Sequence, residues 1–395
     1  MLTSLALIFL IGLLMGSVFN KLKLPSIMGM IFTGIILSPN ALNLLDESII
    51  IISPDLRKLA LVIILTRAGL SLNIDDLKKV GRPALLMCFL PACFEILAVV
   101  IIAPKLLGVS ILEAAIIGAV IAAVSPAIIV PRMINLIDKE IGKENSIPQL
   151  IMAGASVDDI FVIVLFTSFT GLAEGGNIYT LSFMQIPISI LMGVISGVIL
   201  IKLFKRFHIR DSIKIIIILS ISFLLIECES ILEGVLPMSG LLAIMSMGII
   251  FKQKYEVLAV RLSSKYNKLW VAAEVILFVL VGATVNLKYI TSEGVMVIGV
   301  IVFAMIFRML GVFICLLKTK LTMNERLFCM IAYTPKATVQ AAIGSIPLSM
   351  GLECGNLVLT VAVLAILITA PFGAIGIDKT YEKLLCSSGY INKKK

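Results

Sequence analysis

AAVSPAIIVPRM (residues 122–133) and IAYTPKATVQAAIG (residues 331–344) are apolar stretches interrupted by proline where a helix would otherwise run on. Proline removes a backbone donor and its ring clashes one turn back. Each stretch is therefore expected to unwind, the first around Pro126 and Pro131, the second at Thr334 and Pro335. What that costs depends on the surroundings, and the composition supplies them. The 395 residues are 60% hydrophobic and 14% charged, with a mean hydropathy of +1.12, whereas a soluble domain carries about 25% charged residues. Such a chain needs lipid as its solvent, which excludes soluble enzymes, disordered proteins, collagens and disulfide scaffolds. Long apolar runs fit bilayer-spanning helices of about 17–25 residues rather than barrel strands. The seven cysteines lack paired spacing, so neither a disulfide framework nor a metal cluster is suggested.

Apolar runs fall at 3–19, 24–38, 58–72, 83–104, 111–133, 147–170, 181–203, 212–226, 235–251, 269–287, 295–317, 326–347 and 355–377, thirteen candidate spans. Of the 33 Lys and Arg, 26 lie in the loops after the odd-numbered spans and in the C-terminal tail, and four in the alternate loops. The positive-inside rule then places the N-terminus outside and the C-terminus in the cytoplasm. It also assigns the net charge of +9 to cytoplasmic loops rather than to nucleic-acid binding. The start of the chain lacks a basic region and a small-residue cleavage site, so the first span reads as a retained helix. A bacterial plasma (inner) membrane is the simplest location, with membrane lipids as the immediate partners. Trp270 suits an interfacial anchor, and His208 reads as a solvated loop residue.

Several features recur about 212 residues apart. LPSIMG (24–29) matches LPMSG (236–240), and AGLSLN (68–73) matches VGATVN (281–286). Glu95 precedes Arg308 by 213 residues, and Pro126 precedes Pro335 by 209. These matches pair spans 2–5 with spans 9–12, always seven spans apart. Seven is odd, so paired spans cross the membrane in opposite directions, an inverted-topology repeat of the kind found in secondary transporters. One broken helix alone reads as a kink packed on a neighbour. Two at repeat-related positions favour a crossed pair at an ion site, because freed backbone groups in lipid need a cavity or a ligand.

Six ionisable residues lie inside the spans and a seventh, Arg67, near a cytoplasmic end: Glu95, Asp158, Asp159, Glu274, Arg308 and Lys336. Each needs a partner or a function. Asp158 and Asp159 are adjacent in GASVDDIFVIV, and neighbours on a helix diverge by about 100°. One carboxylate can face the broken helices while the other faces a cation. Burial beside a like charge makes a carboxylate hold its proton more readily. Such a group carries a proton in one condition and Na⁺ or Li⁺ in another, with carbonyls near Val124 and the Ser125 hydroxyl completing the oxygen ligands. The plainer reading is that both aspartates pair with Arg308 and Lys336 as buried glue. Glu95 with Arg308, and Glu274 with Lys336, read equally as structural pairs. Gly12–Gly16 and Gly193–Gly197 have GxxxG spacing, suited to internal packing or, for the first, a dimer contact.

The VDD pair, SPAIIVP and TPKATVQAAIG resemble the monovalent cation:proton antiporter superfamily, most closely its NHA-type sodium/proton antiporters. The resemblance implies an all-helical fold with two crossed broken helices, and exchange of Na⁺ or Li⁺ for H⁺ with no cofactor. It implies scaffold and dimerisation helices over 1–74 and 211–290, and an ion-transport core over 75–178 and 291–378. A linker helix over 179–210 joins them, a short cytoplasmic tail occupies 379–395, and the chain works as a homodimer by elevator-like alternating access. It makes Asp159 the principal ion carrier, Asp158 its auxiliary, and Glu95, Arg308, Glu274 and Lys336 the core ion pairs. Arg308 stands where electrogenic relatives have lysine. Arginine does not release its proton, so exchange is expected to be electroneutral.

Three competing readings are weaker. A sodium-coupled symporter of an organic anion on the same fold conflicts with adjacent intramembrane aspartates. An intramembrane aspartyl protease needs opposed aspartates on two helices, and no GxGD is present. A channel fits the inverted repeat less well than alternating access does.

Overall fold

The computed structural model describes residues 1–72, 81–142, 144–173, 178–207, 209–232, 238–285 and 287–385. His208, Asn73, Asn286, Leu236, Pro237, Cys386 and the basic tail lie outside the described residues, so the readings placed on them stop there. Among the described residues the regular structure is all helix, with no strand. Spans 1–3 fall on Leu2–Lys21, Ser26–Leu37 and Ser53–Ser71, and spans 6–9 on Ile147–Ala173, Ile178–Arg206, Asp211–Ile231 and Gly240–Lys254. Spans 10, 11 and 13 fall on Glu256–Ala283, Leu287–Cys315 and Gly355–Leu385. Spans 4, 5 and 12 are interrupted pairs: Arg82–Met87 with Leu90–Leu107, Ile111–Ala122 with Pro126–Asp138, and Met323–Ala332 with Thr338–Ile343. Among the described residues, eight helices are long and apolar enough to cross a membrane. The chain is a multi-pass membrane protein.

Several boundaries differ from the sequence reading. Span 10 starts at Glu256 rather than 269, because its first turns, EVLAVRLSSKYNK, are amphipathic and the apolar run reports only the later part. Trp270 is then well inside the helix and 5% exposed, so it packs against protein instead of anchoring at the lipid interface. Span 4 breaks at Cys88–Phe89, ahead of Pro91 in the first turn of the next helix. That helix ends on Gly108, whose φ of +67° is a left-handed cap that glycine adopts without strain.

The chain falls into two compact units, residues 1–50 with 75–162 and 278–395, and residues 51–74 with 163–277. In the first unit, a Cβ on Gly34 would strike the Val279 carbonyl, and one on Gly282 would meet the Ile31 carbonyl and lie 3.2 Å from Gly34 Cα. Backbone therefore touches backbone between spans 2 and 10. In the second unit, a Cβ on Gly248 would lie 2.8 Å from Gly69 Cα, so spans 9 and 3 cross in the same way. Gly34 and Gly248 are 214 residues apart and Gly69 and Gly282 are 213 apart, so the two crossings are repeat mates. The starts of the broken spans match too. Ser110 with Glu113, and Thr322 with Glu325, form complete capping boxes with the same N-cap dihedrals of −67° and 164°. An inverted repeat thus organises the fold.

The GxxxG faces pack internally. Gly16 abuts Met30 and Ser26 in the first unit, while Gly193 and Gly197 abut Ala243 and Ile250 in the second.

Candidate ion site at the crossing of two broken helices

The first half-helix of span 5 ends at Ala122, and Ala123 to Ser125 run extended before Pro126 opens the second half. Span 12 stops at Ala332 and restarts at Thr338. The two breaks meet, and the Ser125 N–H donates to the Pro335 carbonyl at 2.8 Å. Pro126 and Pro335 thus sit at real interruptions. Pro131 does not: it lies inside the continuous helix Pro126–Asp138. A single missing N–H is tolerated where the flanking ladder persists.

Carbonyls left free by these breaks are met by side chains. Arg308, from Leu287–Cys315, is fully buried and reaches four groups. Its Nε donates to the Tyr333 carbonyl at 2.7 Å and its Nη1 to the Ala122 carbonyl, so one guanidinium binds both broken ends. Nη1 also donates to Glu95 Oε2 at 2.9 Å, and Nη2 to Asp158 Oδ2 at 3.0 Å. The planar fork of arginine suits this spread of acceptors, which the point charge of lysine does not. The guanidinium also lies over the Tyr333 ring, 5.3 Å from its centroid. Lys336, in the second break, sets its ammonium on Glu95 at 2.7 Å and donates its backbone N–H to Thr369 Oγ1 at 3.0 Å.

Asp158 Oδ2 accepts a second bond, from the Val124 N–H at 2.8 Å. The contribution of Val124 is thus its amide to Asp158. The sequence reading gave one aspartate to the broken helices and the other to a cationic partner, whereas in the structure Asp158 takes both contacts. Arg308, Lys336, Glu95 and Asp158 are all 0% exposed. They balance as two positive and two negative charges. Asp159 makes no ion pair among the described residues, and its buried Oδ1 has no hydrogen-bond partner. Asp158 Oδ1 and the Ser125 hydroxyl are likewise buried without a hydrogen bond. Buried oxygens in this condition are costly unless a proton or cation joins them, and carboxylate and hydroxyl oxygens suit a hard cation.

The expected pairing of Lys336 with Glu274 is not formed. Lys336 lies on Glu95 in the first unit, while Glu274, in the second, faces the charge of Arg67. The assignment failed because both acids are isolated in apolar sequence, and nothing local says which cation packs beside which. Arg67 in turn feels the charge of Glu274. Gln340, Tyr333 and Thr369 were missed. The first carried a signal, since a glutamine at the third residue of a restarting helix is half of a capping box. The other two are ordinary membrane-helix residues until folding places them.

The transmembrane sodium/hydrogen exchanger family model matches residues 5–381. Human sodium/hydrogen exchanger 9B2 is 31% identical over 94% of this chain and 71% of its own length. The mouse protein of that name is 30% identical over 94% and 72%. The sodium proton antiporter MjNhaP1 of Methanocaldococcus jannaschii superposes with a TM-score of 0.80 at 20% identity, covering 95% of this chain and 97% of that one. These relatives are transporters, and nothing among them favours an organic-anion symporter. With a crossed pair of broken helices, a charge-balanced cluster and a family match along nearly its whole length, the chain belongs to the sodium/hydrogen exchanger family of transmembrane antiporters.

Proposed function

We propose that the chain exchanges Na⁺ or Li⁺ for H⁺ one for one, with Asp159 as the carrier. The observation that carries this reading is the charge count at the crossing: four buried charges cancel, and Asp159 is the unmatched fifth. An ionised Asp159 takes a cation, a protonated one releases it, and the two states exclude each other at one carboxylate. Asp158 Oδ1 and Ser125 Oγ supply further oxygens, while Arg308 pairs with Asp158 Oδ2. Arg308 holds its proton throughout and so carries none across, which supports electroneutral exchange.

Residues 75–178 and 291–378 move as the transporting core against a scaffold formed by 1–74 and 211–290, joined through 179–210. Two chains form a homodimer in the plasma membrane, N-terminus outside and C-terminus in the cytoplasm. The resemblance supports the division and the dimer, and the Lys/Arg asymmetry supports the orientation.

The test uses proteoliposomes with a preset inside-acid pH gradient and a pH-reporting dye, pulsed with Na⁺, Li⁺ or K⁺. Wild type is expected to collapse the gradient with Na⁺ and Li⁺, and Asp159→Asn to lose this by at least about 100-fold. Equal activity in the variant discards the site. No response to any alkali cation in wild type discards the exchange reading.

A further inference from the structure

Beyond the charged cluster, the crossing has a neutral tie. The carbonyls ending the first half-helix of span 5 belong to Ile121, Ala122 and Ala123. Arg308 takes the middle one. The other two face Gln340, a fully buried residue of Thr338–Ile343, whose Nε2 donates to the Ala123 carbonyl at 2.7 Å and approaches the Ile121 carbonyl at 3.5 Å. Its Oε1 accepts the Ala337 N–H at 2.8 Å, where the second half-helix of span 12 restarts. One amide thus joins the C-terminal end of a half-helix in one repeat to the N-terminal end of a half-helix in the other. An amide does this without charge, whereas an ionised carboxylate has no donor for Ala123 and an ammonium no acceptor for Ala337.

We infer that Gln340 is the positioning residue that holds the two breaks in register, so that the Val124 amide stays on Asp158 and the Ser125 amide stays on the Pro335 carbonyl while the site changes between proton and cation. Arg308 shares its guanidinium between the Tyr333 and Ala122 carbonyls and the Glu95 and Asp158 carboxylates, so its hold on the breaks responds to the charge state there. Those of Gln340 run to backbone only and do not. The role deepens the exchange reading and rests on it for its kinetic consequence, whereas the structural consequence stands alone.

Gln340→Glu separates the two. Protonated, the glutamate has the shape of glutamine and still donates to the Ala123 carbonyl; ionised, it repels that carbonyl. Hydrogen exchange of the purified variant is therefore expected to match wild type at acid pH and, on raising the pH, to speed by at least about tenfold at the amides of 124 and 125, with helix Leu2–Lys21 unchanged. The transport of Gln340→Glu should follow, losing its alkaline limb and keeping its acid one. Gln340→Leu is expected to raise KM for Na⁺ by about tenfold at every pH, with the maximal rate within about twofold of wild type. Its acid-pH behaviour lets Gln340→Glu serve as its own folding control. An exchange pattern at 124 and 125 that follows wild type at all pH values overturns the inference, whatever the transport assay gives. Should wild type carry no cation, the exchange reading fails and the hydrogen-exchange result still decides this one.

Discussion

Arg308 shows how much one side chain decides. It binds two broken helices through their carbonyls and two carboxylates through its fork, all in the absence of solvent. Removing it leaves Glu95 with Lys336 alone and Asp158 with only the Val124 amide. Stranding one side of a buried ion pair costs about 3–5 kcal/mol. Arg308→Met is therefore expected to lower the thermal midpoint of the detergent-solubilised protein strongly, and Arg308→Lys to recover only part of the loss, since an ammonium does not span Tyr333 and Ala122 together. An unchanged midpoint for Arg308→Lys would show that charge alone matters. Thr369→Val makes a smaller, cleaner test. It preserves shape but leaves the Lys336 N–H unpartnered, a loss of about 1–3 kcal/mol in the same melting experiment.

At the scale of elements, the repeat makes matched predictions. Ser110 and Thr322 cap the two broken spans with the same geometry, and each alanine substitution should cost about 0.5–2 kcal/mol. Close agreement of the two losses is expected. A clear inequality would point to tertiary load on one end, and Glu325 already accepts a further bond from Asn145 at 2.8 Å. The glycine crossings behave differently, since their neighbours are backbone and cannot give way. Gly248→Ala puts a methyl 2.8 Å from Gly69 Cα, and the helices must part to admit it. A loss of about 1–3 kcal/mol follows from such overpacking, and full stability in the variant would sink the account of the crossing. The breaks themselves were legible as SPA and TPKA, because proline acts on its own backbone. The interruption at Cys88–Phe89 was not, because Pro91 in the first turn of a helix is compatible with either a start or a continuation.

For the whole molecule, proton–cation competition sets the pH dependence. If both ions use Asp159, lowering the pH raises KM for Na⁺ toward about tenfold per unit once the carboxylate is mostly protonated, while the maximal rate changes less. A KM independent of pH would separate the two sites. One-for-one exchange further predicts that transport ignores an imposed membrane potential. A Na⁺-driven current, reversing at a stoichiometry above one, would restore a second proton carrier and remove the argument from Arg308. The expected homodimer is checked by native mass spectrometry of the protein released from lipid.

Membrane residence, the helical class, the positions of the two breaks, the inverted repeat and the adjacent aspartates are all local or periodic properties, and the sequence by itself determined them. Hydropathy reports the solvent a segment needs, and proline reports where a helix stops. Pairing of the buried charges is another matter. Glu95 lies 213 residues from Arg308 and 241 from Lys336, and in apolar sequence each acid looks equally available to each cation. The crossing of spans brought Lys336 to Glu95, left Glu274 to Arg67, gave Asp158 to Arg308 and left Asp159 unmatched. The same crossing turned Gln340 from a helix residue into a tie between repeats. Only the tertiary structure decided these, because a buried charge is stabilised by the groups folding sets within a few ångströms of it, and those are chosen by helix packing rather than by neighbours along the chain.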